Sequence, residues 1–227
     1  MTLHAPQAVL FDLDGTLIDT APDFAGVLNR QLVAHGRRPL PYEAVRSVVS
    51  QGARAVVTLG FGDRFPADSD EFEAIRQEFL ASYLQHLADE TRLFPGMDEL
   101  LTALESRGTP WGIVTNKPEG LAAALMPLLG WEQRCAVLIG GDTLAVRKPD
   151  PLPLLVAAER IGVAPRECVY VGDDERDIVA ARAAGMPSIV ALWGYRLAED
   201  DPQAWGGDVL VDDPRRLHHA DAWPSPP

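Results

Sequence analysis

The most restrictive feature of this sequence is a set of short apolar runs that stop abruptly at polar loops. Ala8-Val9-Leu10-Phe11 is apolar at every position and ends at Asp12, Asp14 and Gly15. Trp111–Val114, Val137–Ile139, Cys168–Val171 and Ser188–Leu192 read the same way, and Val209–Val211 is a weaker copy. A half-solvated strand alternates apolar and polar residues. These runs do not alternate, so both of their faces need cover, as strands inside a parallel sheet do.

Helical patterns fill the intervals. Met97–Ser106 places Leu100, Leu101 and Leu104 on one side, with Gly108 beyond its end. Pro118–Leu129 is rich in Ala and Leu, and Pro127 is expected to end or kink it. Pro151–Ile161 stops at Gly162, and Asp177–Ala184 stops at Gly185. Strand–helix–strand alternation predicts an α/β fold, a Rossmann-like doubly wound parallel sheet. From about Asp19 to Asp89 the rhythm breaks. Phe24, Val27, Leu28 and Leu32 recur at helical spacing, as do Val45, Val48 and Val49, and Phe72, Ile75, Phe79 and Tyr83. No convincing strand lies between them. The expected organisation is a core built from residues 1–18 and 89–227, with a helical subdomain, residues 19–88, inserted after the first strand. Its expected hinges lie near Ile18–Thr20 and Ala88–Phe94.

The 227 residues, 47% hydrophobic and 23% charged, suffice for a buried core. Twenty basic against 33 acidic residues leave a net charge of −13, which repels nucleic-acid phosphate and argues against DNA or RNA as a partner. No basic cluster points to anionic lipid. The longest run without a charged or strongly polar residue, Gly120–Trp131, is too short for a bilayer and contains Pro127. Met1–Gln7 carries no basic stretch before an apolar run, so no secretory signal is expected. Cys135 and Cys168 lie far apart and outside any CxxC pair, which suits a reducing compartment and packed, inert thiols. The expected location is cytoplasmic, without a membrane partner. The five histidines show no ligand spacing.

Parallel sheets place ligands at the carboxyl ends of their strands. There the sequence has Asp12-Leu13-Asp14-Gly15-Thr16, then Thr115-Asn116-Lys117, then Arg147-Lys148-Pro149-Asp150, then Gly172-Asp173-Asp174-Glu175-Arg176-Asp177. Asp12, Asp14 and Asp173 brought close would repel one another without a cation between them, and an oxygen-only, partly open set suits Mg²⁺. Asp177 stands four residues on and would accept hydrogen bonds from metal-bound water or from Lys148. Thr115 and Lys148 offer a hydroxyl and an ammonium to phosphoryl oxygens. A carboxylate can also attack phosphorus directly. The acidic chain would repel a phosphorylated metabolite, so local cations must supply the attraction.

These loops, in this order, resemble the haloacid dehalogenase-like superfamily of phosphatases over nearly the whole chain. The matches are DxDGT at Asp12–Thr16, the threonine at Thr115, the lysine at Lys148 and GDxxxD at Gly172–Asp177. The resemblance implies Asp12 as nucleophile and Asp14 as general acid and then base. It implies Mg²⁺ on the Asp12 side chain, the Asp14 backbone carbonyl and Asp173, with Asp177 behind them. Thr115 and Asn116 would contact the phosphoryl group, and Lys148 would neutralise charge. The helical insert corresponds to a cap that closes over the site and selects the substrate.

Leu17–Asp23, Val114–Pro118 and Lys148–Pro151 resemble the phosphoglycolate phosphatase group. Ser50-Gln51-Gly52-Ala53-Arg54, Gly172–Ile178, Trp193-Gly194-Tyr195 and Trp205–Val209 resemble more closely a bacterial branch named for N-acetylmuramic acid 6-phosphate phosphatase. The expected partner is a small phosphorylated metabolite, and the expected state a monomer or homodimer. Gly52 and Arg54 are candidate substrate contacts, since a guanidinium suits a substrate carboxylate. Asp19 and Thr20 are expected to serve the hinge and to cap the next helix. Many relatives carry Ser or Thr where Asp174 stands. A sugar phosphomutase shares the same motifs, and a phosphate-binding protein without turnover is a further alternative on this fold.

Overall fold

The computed structural model describes residues 6–224. Met1–Ala5, which include His4 and most of the Met1–Gln7 stretch, and Ser225–Pro227 lie outside the described residues. In chain order the first elements are β1 (Ala8–Phe11), β2 (Ile18–Asp19), α1 (Ala21–Ala34), α2 (Tyr42–Arg46), α3 (Ala53–Phe61) and α4 (Asp70–Gln85). They are followed by β3 (Arg92–Leu93), α5 (Met97–Ser106), β4 (Trp111–Val114), α6 (Glu119–Leu129), β5 (Leu138–Ile139) and α7 (Leu152–Ile161). The last are β6 (Cys168–Gly172), α8 (Glu175–Ala183), β7 (Ser188–Ala191) and β8 (Val209–Val211).

β1, buried at every position, sits mid-sheet between β4 and β6. The sheet runs β5-β4-β1-β6-β7-β8, and every pairing in it is parallel. The chain builds outward from β1 in one direction through β4 and β5, then returns to build β6, β7 and β8 on the other side. That reversal opens a crevice beyond the carboxyl ends of β1, β4 and β6. The apolar runs therefore occupy the strands expected of them, each within a residue of its expected bounds. α6 runs to Leu129, and Pro127 sits in its last turn before the left-handed Gly130. Trp111 of β4 and the buried Trp131 meet edge to face at 5.4 Å, closing the core below the sheet.

The segments at the two ends of the helical insert pair with each other. β2 and β3 form an antiparallel ribbon, Ile18 opposite Leu93 and Asp19 opposite Arg92. Two-residue strands have no room for an alternating pattern, so the sequence carries no signal for them. Within the insert, α1 and α4 close on an aromatic core. The Phe24 ring lies 4.4 Å from Tyr83 and 5.6 Å from Phe79, and all three are buried. Ser69 caps α4 by accepting from Phe72 N at 3.1 Å, and Asp70, Glu71 and Glu73 favour the positive end of that helix.

The start of α1 corrects one expectation. Thr20 occupies the cap position, but its hydroxyl donates to Asp14 at 2.8 Å instead of capping the helix. Asp19 serves as expected, its Oδ1 accepting from Ala21 N at 3.2 Å, and a second partner reaches the α1 amides from across the molecule. The Tyr195 hydroxyl accepts from Thr20 N at 2.6 Å and Ala21 N at 3.0 Å, and donates to Asp19 at 2.7 Å. Buried helix-end donors need such a partner. Tyr195→Phe is expected to lower stability by about 1–3 kcal/mol. Urea denaturation measures this, and an unchanged midpoint would remove Tyr195 as the cap.

Candidate active site

Each site residue is placed by a local device at a strand end. Beyond β1 the chain turns back at once, with Gly15 N donating to Ile18 O at 2.9 Å. Gly15 has φ of +90°, and a Cβ there would fall 2.2 Å from Asp173 Oδ2. Only glycine fits that conformation and that approach. Gly194 lies as close on the other side, its Cβ position 2.3 Å from that of Asp173. Beyond β4, Thr115 Oγ1 accepts from Lys117 N at 3.1 Å, and Asn116 Nδ2 donates to Lys148 O at 2.9 Å. The first bond shapes the threonine loop, and the second ties it to the lysine loop. Beyond β6, Asp174 and Asp177 form a reciprocal capping box at the start of α8.

The charges then sort into pairs, with one exception. Lys148, 2% exposed, lies 3.0 Å from Asp12 Oδ1 and 2.6 Å from Asp177 Oδ1. Its Nζ also donates to the Tyr170 hydroxyl at 2.7 Å, which in turn donates to Val114 O. Burial disfavours the Lys148 ammonium, but Asp12 and Asp177 more than offset this, so its pKa stands above the usual lysine value. Burial pushes the Asp177 carboxyl up to about 7, against the pull of Lys148. Lys117 pairs with Asp14 at 3.0 Å, and Arg176 pairs with Asp174. Asp173 is fully buried and has no cationic partner among the described residues. It accepts only from neutral donors: Thr16 Oγ1 at 2.7 Å, Ser50 Oγ at 2.9 Å and Tyr195 N at 2.9 Å. Burial, reinforced by Asp12 and Asp177, holds its pKa well above the carboxylate range.

A buried carboxylate without a cation, facing another carboxylate, is a place built for one. Asp12, Asp173 and Asp177 each bring an oxygen within 4.8 Å of the others. Asp12 Oδ1 lies beside Lys148 but without hydrogen-bond alignment and has no donor. Asp177 is already opposed by the Lys148 ammonium, whereas Asp173 accepts from neutral donors and Asp12 Oδ1 from none, so Asp12 and Asp173 are the less compensated ligands. The donor set fits a hard divalent cation. The Asp14 side chain does not join this group. It turns to Lys117 and Thr20, leaving its backbone carbonyl as the atom the family resemblance assigns to the metal.

A cavity of about 390 Å³ lies over these groups. Asp12, Asp14, Thr115, Asn116 and Lys148 line it from the core. Ser50, Gln51, Gly52 and Arg54 line it from the helical insert. Gly52, at φ +82°, breaks the chain between the 3₁₀ turn Val49–Gln51 and α3. Arg54 donates to Ala67 O and lies over the Phe72 ring at 5.5 Å. Asp174 caps α8 and pairs with Arg176, which accounts for the extra carboxylate without a role on the metal. Ser50 and Lys117 have no role in the sequence reading, although both lie inside motifs that carry the family resemblance. Their partners, Asp173 and Asp14, lie 123 and 103 residues away, so no local signal marks them.

The model of the haloacid dehalogenase-like hydrolase family matches residues 6–185. The chain belongs to the haloacid dehalogenase-like hydrolases. It is 57% identical over 224 residues to a phosphoglycolate phosphatase of Xanthomonas campestris pv. campestris strain 8004, covering 99% of this chain and 100% of that one. It is 47% identical over 211 residues to an N-acetylmuramic acid 6-phosphate phosphatase of Pseudomonas aeruginosa PAO1, covering 93% and 92%. Among solved structures, a predicted phosphoglycolate phosphatase from Haemophilus somnus 129PT superposes with a TM-score of 0.84 at 27% identity, covering 96% and 98%.

For this haloacid dehalogenase-like hydrolase the contact between Gly15 and Asp173 sets a sharp test. Gly15→Ala is expected to displace Asp173 and to lower turnover of p-nitrophenyl phosphate by about 10². Retention of full activity would show that Asp173 needs no such cradle.

Proposed function

We propose that this haloacid dehalogenase-like phosphatase hydrolyses a small phosphomonoester with Mg²⁺ through an aspartyl-phosphate. The observation that carries the reading is the cavity floor. Asp12 stands 3.0 Å from the Lys148 ammonium, with Asp14 two residues on in the same lining and Asp173 lacking a cation. Asp12 attacks phosphorus, the bond from phosphorus to the ester oxygen breaks, and Asp14 gives that oxygen a proton. Asp14 then takes a proton from water as the water attacks phosphorus, releasing phosphate and restoring the Asp12 carboxylate. Thr115, Asn116 and Lys148 hold the phosphoryl oxygens. Asp12, Asp173 and the Asp14 carbonyl would hold Mg²⁺, which would supply positive charge against the oxygens of the transferring group.

The helical insert, residues 19–88, is the cap over this cavity. The substrates of choice are N-acetylmuramic acid 6-phosphate and 2-phosphoglycolate. Both are alkyl phosphates carrying a carboxylate, and Arg54 on the cap side offers it a guanidinium. Among the described residues no helix is long and apolar enough to cross a membrane. Cys135 and Cys168 are both free, and burial raises each thiol to about 11. They fit the reducing cytoplasm in which we place the reaction.

Phosphate release with Mg²⁺ from these two esters and from several hexose phosphates tests the substrate reading. One carboxylate-bearing ester is expected to lead the hexose phosphates in kcat/KM by at least about tenfold. EDTA should stop the reaction and Mg²⁺ restore it. A lead by plain hexose phosphates would sink the carboxylate reading, and indifference to EDTA would remove the metal. Asp12→Asn is expected to cost on the order of 10⁴ in kcat with the circular dichroism spectrum unchanged. Substantial retained turnover would overturn Asp12 as nucleophile.

A further inference from the structure

Lys117 is a buried lysine outside the phosphate-binding set, 7% exposed on the loop that follows β4. Its ammonium lies 3.0 Å from Asp14 Oδ1 and 3.3 Å from Oδ2. It donates to the Tyr83 hydroxyl at 3.0 Å. It also stands over the faces of two rings, 4.6 Å from the centre of Tyr83 and 5.2 Å from that of Phe24. Lys117 belongs to the sheet core, whereas Phe24 lies on α1 and Tyr83 on α4. The helical insert therefore builds the seat of a core cation, and the cation grips a core carboxylate.

A buried ammonium is tolerated only when paired and hydrogen-bonded. Here one carboxylate, one phenol and two ring faces meet that need. Burial, with Asp14 and Asp23 nearby, holds the Tyr83 phenol well above its ordinary pKa, so it stays neutral and its oxygen accepts. Asp14 Oδ1 is engaged twice, by Thr20 and by Lys117. Oδ2 has only the longer Lys117 contact and is the freer oxygen.

We infer that Lys117 is the positioning residue of Asp14: seated in the Phe24–Tyr83 pocket of the insert, it sets the rotation of the carboxylate so that Oδ2 delivers and recovers the proton. This rests on the proposed reading of Asp14 as acid and base. Lys117 acts through Asp14 and needs no contact with the reacting atoms. The insert thereby bears on proton transfer as well as on substrate choice.

The test exploits the leaving group. p-Nitrophenolate departs without a proton, whereas an alkoxide needs one. Rapid quench measures first-turnover release of the leaving group from p-nitrophenyl phosphate and from the alkyl phosphate of the panel that the wild-type enzyme turns over fastest. The variants are Lys117→Met, Asp14→Asn, the double variant and Tyr83→Phe. Lys117→Met is expected to slow the alkyl ester about 10²-fold and the aryl ester less than about tenfold. Asp14→Asn should show the same split, and the double variant should be no slower than Asp14→Asn. Tyr83→Phe removes one hydroxyl and should show the split at a smaller size, about threefold to tenfold on the alkyl ester. It decides the matter by itself if Lys117→Met does not fold. Equal losses on both esters in Lys117→Met and Tyr83→Phe, with the split kept in Asp14→Asn, would overturn the positioning role and leave Lys117 as a phosphate contact or as packing. No split in Asp14→Asn would overturn the reading of Asp14, and the inference with it.

Discussion

The structure is organised around the repulsion among carboxylates at one end of a buried sheet. Asp12, Asp173 and Asp177 bring oxygens within 4.8 Å of one another, Asp173 and Asp177 buried and Asp12 at the cavity floor. At such distances like charges are costly unless opposed. Lys148 opposes two of them, and the capping box at the head of α8 gives Asp177 an amide donor as well. Among the described residues Asp173 is served by neutral donors alone, which leaves its charge uncompensated. A site that leaves one negative charge uncompensated is also one that attracts an ion able to bind phosphate on its open side.

The second theme is how far the helical insert reaches into that chemistry. Ser50 donates to Asp173, Tyr83 and Phe24 seat Lys117 against Asp14, and Tyr195 of the core caps α1. The short β2–β3 ribbon ties both connections of the insert together at its base. Position of the insert and geometry of the Asp14 and Asp173 carboxylates are thus coupled through named hydrogen bonds.

Legibility in the sequence followed the range of the interactions. β1, β4 and β6 were readable because four or five consecutive apolar residues leave no other placement for a strand covered on both faces. α5 matched its expected bounds because its leucines repeat on one face and glycine follows it. Asp12, Asp14, Thr115 and Asp173 stood out because each sits within about three residues of the end of such a run, and Lys148 because its motif follows the next run in the order of the family. The two-residue ribbon was invisible because it is held by pairing across 75 residues and not by a local pattern. Thr20 misled for the same reason. A threonine ahead of a helix is a good local cap, but Asp14 offered its hydroxyl a charged partner.

The sequence by itself determined the class of fold, the order of the loops at the strand ends and the chemical identity of their side chains, because strand periodicity and loop motifs are properties of neighbouring residues. Tertiary structure alone decided which charges meet. It assigned Lys148 to Asp12 and Asp177, Lys117 to Asp14 and Arg176 to Asp174, and it left Asp173 without a cationic partner among the described residues. Electrostatic pairing acts over a few ångströms in space whatever the separation along the chain, so the folding of the strand-end loops against one another was needed to settle it.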